Sequence, residues 1–145
     1  MKLLNLYQPA ISGERAYVNS FNENLQGLAK QFWHNLNGIA PIFIVIAVVV
    51  GIGVCAYYYG PYNNKPGRHY KPSHWGWFML ICFLGALLAT LVIEHVMIKT
   101  TLNSVGMTMF WIALQNALYA TVLYFLTSIV WCNALPTNAY RLFKF

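Results

Sequence analysis

The run from Gly76 to Ile98, GWFMLICFLGALLATLVIEHVMI, limits the possible folds of this 145-residue chain more than any other stretch. It is apolar up to Glu94 and His95 and apolar again for one more turn. At 1.5 Å per residue a helix of this length reaches about 34 Å, enough to cross a hydrocarbon core of roughly 30 Å with slight tilt. A helix resting on a soluble core would show a polar face every third or fourth residue, and none appears here. The run reads as the middle of three membrane spans.

The first span is expected over about Ile39 to Tyr58. Its segment IFIVIAVVVGIGV is β-branched, but a lone open strand in lipid would leave its backbone unpaired, so a helix is expected. Pro41 falls in the first turn, where its missing N–H costs little. Tyr57, Tyr58 and Tyr59 close the span as an aromatic belt at headgroup depth, and Trp75 and Trp77 open the next one. The third span runs from about Val105 to Trp131, long enough to tilt or project.

Ahead of the spans, residues 1 to 15 read as an irregular arm punctuated by Pro9 and Gly13. The spacing S-x-x-E at Ser20 and Glu23 predicts a capping box and a helix start there. Phe21, Leu25, Leu28, Phe32 and Leu36 then recur at helical spacing, with Asn22, Glu23, Gln26, Lys30 and Gln31 at other positions. This segment is too polar to span and suits a membrane surface or a partner's groove. Asn37, Gly38 and Pro41 mark a bend into the first span. The expected fold is therefore an all-α integral membrane protein, with an N-terminal amphipathic surface helix followed by three transmembrane helices. Residues 1–37 form the arm and interfacial helix, 38–133 the three-span region, and 134–145 an aromatic, basic tail.

Only 8% of the residues are charged, and nine Lys or Arg stand against three acids. The basic residues lie singly outside the apolar runs, a pattern that fits anionic headgroups and not a base-reading surface, so no nucleic-acid partner is expected. Lys65, Arg68, Lys71, Arg141 and Lys144 are the candidates for anionic-lipid contact. They share one expected side of the membrane, against Lys2, Arg15, Lys30 and Lys99 on the other. Five against four place the tail on the matrix or cytoplasmic side and the N-terminus on the opposite one. The mixed run after Lys2 is neither a cleavable signal nor an amphipathic presequence, so the spans themselves are expected to direct the chain to its membrane.

Glu94 is the first candidate for chemistry, because an acid one turn inside a span is costly and usually faces protein or water. Cys82, Ala86, Thr90 and Glu94 recur every four residues as one small, mildly polar stripe. It is expected to serve as a helix-packing contact, with Glu94 accepting a bond or pairing with Lys99 or His95, or as the wall of an ion path, or else Glu94 is a simple interfacial glutamate. Ala47, Gly51 and Cys55, and Ala113, Ala117 and Thr121, form further seams along which helices can approach closely. Gln115 and Asn116 lie mid-span on adjacent faces, more than three short helices can readily satisfy, which favours a second subunit, with a bound lipid as the alternative partner for one of them. His34, His69, His74 and His95 lack a four-ligand arrangement, and Cys55, Cys82 and Cys132 show no ligand spacing, so neither metal nor cofactor is expected. No phosphate loop, zinc-protease motif or nucleophile elbow occurs.

These features predict a non-catalytic structural or accessory subunit of a multi-subunit membrane complex. Its partners would be other membrane subunits and anionic phospholipid. The excess of base over acid suits a cardiolipin-rich, energy-transducing inner membrane, mitochondrial or bacterial. The alternatives are a homo-oligomeric channel or pore lined by the Thr90/Glu94 or Gln115 face, and a small membrane enzyme or transporter.

Overall fold

The computed structural model describes residues 3–7, 13–66, 71–102 and 105–144. Every regular element among them is helical: a 3₁₀ turn at Leu3–Tyr7, α1 (Glu14–Asn19), α2 (Glu23–Tyr57) prolonged by a π turn at Tyr58–Tyr62, α3 (Pro72–Met97) and α4 (Val105–Ala134). The three long helices are each long and apolar enough to cross a membrane. The chain forms two compact units, an arm unit of Met1–Val45 with Leu87–Asn116 and a tail unit of Ile46–Ala86 with Ala117–Phe145.

In the arm unit, the helix expected before the first span is not separate from it. α2 runs unbroken for 35 residues with Pro41 inside, about 53 Å at 1.5 Å per residue. Proline removes one N–H from a helix interior at about 3 kcal/mol. Here its ring is exposed, while Ile39, Ala40 and Phe43 on either side are buried, so packing offsets the lost bond. The predicted capping box is also not made. Ser20 Oγ donates to the Tyr17 carbonyl at 2.6 Å, closing α1 instead of opening α2. α2 begins after Asn22, whose carbonyl accepts from Leu25 N–H at 2.8 Å.

The buried stripe of α2 is Ala29, Phe32, Trp33, Leu36, Ile39, Ala40 and Phe43, whereas Leu25 and Leu28 are each 39% exposed. The expected apolar face thus turns partly outward. α1 is the reason, because its Tyr17 ring sits 5.8 Å from Phe32 and 5.4 Å from Trp33 and draws that side of α2 inward. Burial pushes the Tyr17 phenol above its ordinary range, so it packs as a neutral ring. The arm expected to be irregular folds in as well. Tyr7 is fully buried and meets Phe43 edge-on at 5.9 Å.

In the tail unit, α2 and α4 approach so closely that only glycine fits at position 51. A Cβ there would lie 2.6 Å from the Ala120 carbonyl oxygen and 2.9 Å from Leu123 Cβ. Ala47 and Cys55, one turn to either side, are buried with it. The tyrosine belt is not uniform: Tyr57 is exposed, while Tyr58 and Tyr59 are buried. Successive helical residues point about 100° apart, so three in a row cannot share one lipid-facing side. The C-terminal tail also turns inward. Asn133 Nδ2 donates to the Phe143 carbonyl at 2.8 Å, and the Phe143 ring packs 5.0 Å from Phe125 and 5.3 Å from Trp75.

Candidate functional site

Asn116 and Thr90 in the arm unit and Ser128 in the tail unit are buried polar side chains that anchor hydrogen-bond networks. In the arm unit, Tyr7 OH donates to Asn116 Oδ1 at 2.8 Å, and Asn116 Nδ2 donates to Thr90 Oγ1 at 2.8 Å. The neighbouring Gln115 Nε2 donates to the Leu6 carbonyl, also at 2.8 Å. The N-terminal 3₁₀ turn therefore engages both amides, through the Gln115 NH₂ group and the Asn116 carbonyl oxygen. Sequence reasoning missed this turn because a single 3₁₀ turn leaves no periodic pattern to read. Its one signal is LLNLY, a short apolar run ending in a residue with both a ring to bury and a hydroxyl to share.

Glu94 lies one turn beyond Thr90 on α3, and neither residue has exposed surface. Both Glu94 carboxyl oxygens are buried without a hydrogen-bond partner among the described residues. Neither His95 nor Lys99, both exposed, donates a hydrogen bond to them, in contrast to the pairing expected as one of the options. An isolated ionised carboxylate in such a place would be very costly. The group therefore requires a proton, a cation or a donor from elsewhere.

In the tail unit the hub is Ser128, which sequence reasoning also passed over. Its Oγ donates to the Tyr124 carbonyl at 2.8 Å and accepts from Trp75 Nε1 at 3.1 Å. Cys55 Sγ lies 3.5 Å away. Because the Ser128 proton is already committed to Tyr124, the thiol is the donor in that contact. Cys55, Trp75 and Ser128 belong to α2, α3 and α4, so one hydroxyl ties together all three helices of this unit. Tyr59 OH sits 3.3 Å from Cys132 Sγ, and Thr137 Oγ1 from the tail donates to the Tyr59 carbonyl at 3.1 Å. Trp75, expected at a lipid-facing belt, is held inward by these contacts, while Trp77 is 63% exposed. A serine inside the apolar run TSIVW was the available signal.

Cys82 and Ala86 of the four-residue stripe belong to the tail unit and are fully buried. Cys82 Sγ donates to the Ala120 carbonyl at 3.6 Å. Among the seam residues of α4, Ala113 and Ala117 are buried, and Thr121 turns its hydroxyl back to the Ala117 carbonyl at 2.8 Å.

Lys65, Lys71, Arg141 and Lys144 are exposed on the tail unit, and Arg68 lies outside the described residues. Tyr62 OH is 3.3 Å from His74 Nδ1, and His69 also lies outside the described residues. Among the described residues, no three His, Cys, Asp or Glu side chains gather as a metal site. No protein-family model, curated protein or solved structure matches this chain.

Proposed function

We propose that this protein is a non-catalytic structural or accessory subunit of a multi-subunit assembly in an energy-transducing inner membrane, mitochondrial or bacterial. The observation that carries this reading is the direction taken by the polar groups. Asn116, Thr90, Ser128 and Cys55 are turned inward and bonded within the chain, so they hold helices together and do not line an open path. The outward side of α3 is a stripe of large apolar residues: Trp77, Ile81, Leu84, Leu88, Val92 and Val96. Such a surface suits hydrocarbon and the spans of neighbouring subunits. The N-terminal part of α2, carrying Asn24, Lys30 and Gln31, would project into the headgroup region. Lys65, Lys71, Arg141 and Lys144, with Arg68, would meet anionic phospholipid such as cardiolipin, leaving the N-terminus on the non-matrix or non-cytoplasmic side.

Gentle solubilisation of the source membrane with the tagged chain, followed by native mass spectrometry, tests the reading. A fixed set of different membrane subunits at constant stoichiometry is expected. Recovery of the chain alone, or in a ring of identical copies, would overturn it.

A second reading, proton or cation handling, rests on Glu94 and its partnerless carboxyl oxygens. Thr90 and Glu94 are covered by their own chain, so this reading places the path within one copy. Voltage-driven flux through reconstituted wild type that disappears in Glu94→Gln, at equal assembly yield, would favour it.

A further inference from the structure

We propose that a hollow in the arm unit is a binding site for the phosphodiester of an anionic glycerophospholipid. It has a volume of about 340 Å³ and is lined on one side by Leu28, Gln31 and Asn35 of α2 and on the other by Lys99, Thr100 and Thr101. Positions 28, 31 and 35 share a helical face, so the two α2 amides point into the same space. Lys99 stands two residues beyond the end of α3 at Met97, and Asn35 precedes the apolar run of α2 by about one turn. Both walls thus end at the depth where a bilayer carries its phosphates.

The donors match that group. The lining side chains carry one ammonium, two amide NH₂ groups and two hydroxyls, and no acidic residue is among the described ones that line the hollow. Thr100 Oγ1 accepts from Leu102 N–H at 3.2 Å, which leaves the hydroxyl proton to donate outward. The helix macrodipole works against an anion here, because the hollow adjoins the negative C-terminal end of α3. The favourable charge therefore comes from Lys99. A zwitterionic headgroup would also bring a cation that meets no carboxylate in the lining, which favours an anionic lipid. Leu28, 39% exposed beside the polar wall, offers apolar surface to the start of an acyl chain. The site is distinct from the basic residues of the tail unit and does not depend on which assembly the chain joins.

The test is native mass spectrometry of the delipidated full chain in detergent, titrated with phosphatidylglycerol, phosphatidylcholine or inorganic phosphate. Wild type is expected to retain one phosphatidylglycerol preferentially. Lys99→Gln should weaken that binding roughly fivefold, the effect of losing one lysine at a membrane surface, and Lys99→Arg should preserve it. Lys30→Gln removes an equal charge from an exposed α2 residue that does not line the hollow, and should leave binding unchanged. Equal binding by wild type and Lys99→Gln would overturn the site, as would an equal loss in Lys30→Gln. Phosphatidylcholine binding as tightly would overturn the anionic preference. Displacement of the lipid by millimolar inorganic phosphate would show a free-phosphate site instead.

Discussion

In the tail unit a single hydroxyl, Ser128 Oγ, joins Cys55, Trp75 and the Tyr124 carbonyl. In the arm unit Asn116 joins Thr90 and Tyr7 while Glu94, one turn away on α3, has no partner among the described residues. The partnerless buried atoms of the tail unit, Asn63 Oδ1 and Trp131 Nε1, belong to neutral groups. The tail unit contains no acid at all. Its five Lys and Arg give it a formal charge of +5, against four basic and three acidic residues, or +1, in the arm unit. A neutral orphan costs on the order of 1–3 kcal/mol, whereas a charged one costs considerably more. The tail unit thus reads as a fastening built of neutral hydrogen bonds. The arm unit keeps one ionisable group buried without a partner among the described residues.

The largest expected effect breaks the fastening. Gly51→Val would drive a branched side chain into the Ala120 carbonyl, at about 3 kcal/mol or more. Denaturant titration in micelles should show this loss as an earlier unfolding midpoint. An unchanged midpoint would mean that α2 and α4 do not approach as closely as described.

Next comes Glu94→Leu, which sharpens the contrast by removing the orphan. With no internal partner to strand, the substitution should stabilise the protein by about 1–2 kcal/mol. A loss of stability in the isolated chain would reveal a donor that Glu94 engages. A loss confined to the assembled complex would place that donor on a neighbouring subunit.

The smallest effects compare the two networks directly. Ser128→Ala deprives the Trp75 indole and the Cys55 thiol of their shared acceptor, and about 1 kcal/mol should be lost. Tyr7→Phe removes one donor from Asn116 and should cost slightly less. It should also speed hydrogen exchange at residues 3–7 while leaving the tail unit protected. Uniform loosening of both units in Tyr7→Phe would show that they do not differ in this way.

Much of the helical framework was legible from residue order. Gly76–Ile98 is apolar for longer than a soluble helix tolerates, and α3 was observed at Pro72–Met97. α4 at Val105–Ala134 likewise overlaps the run from Val105 to Trp131. The four-residue spacing of Cys82, Ala86, Thr90 and Glu94 marked a common face, because periodicity is a property of a single helix. It could not say what that face meets. Tyr7 and Asn116 are 109 positions apart, and no local pattern connects them.

The sequence by itself determined length, apolarity and helical type, since these follow from what hydrocarbon demands of a backbone. Tertiary structure decided which way each helix turned. Leu25 and Leu28 fit the periodic face as well as Phe32 does, yet Tyr17 stacks beside Phe32 and Trp33 and leaves the two leucines outside. Pro41 looked like a boundary, but packing on both sides of it carried α2 through. The three adjacent tyrosines are chemically alike, and only the close approach of α2 and α4 with the return of the C-terminal tail brought Tyr59 inside to meet Cys132 and Thr137. Burial depends on which distant surfaces arrive, and a one-dimensional pattern does not specify that arrival.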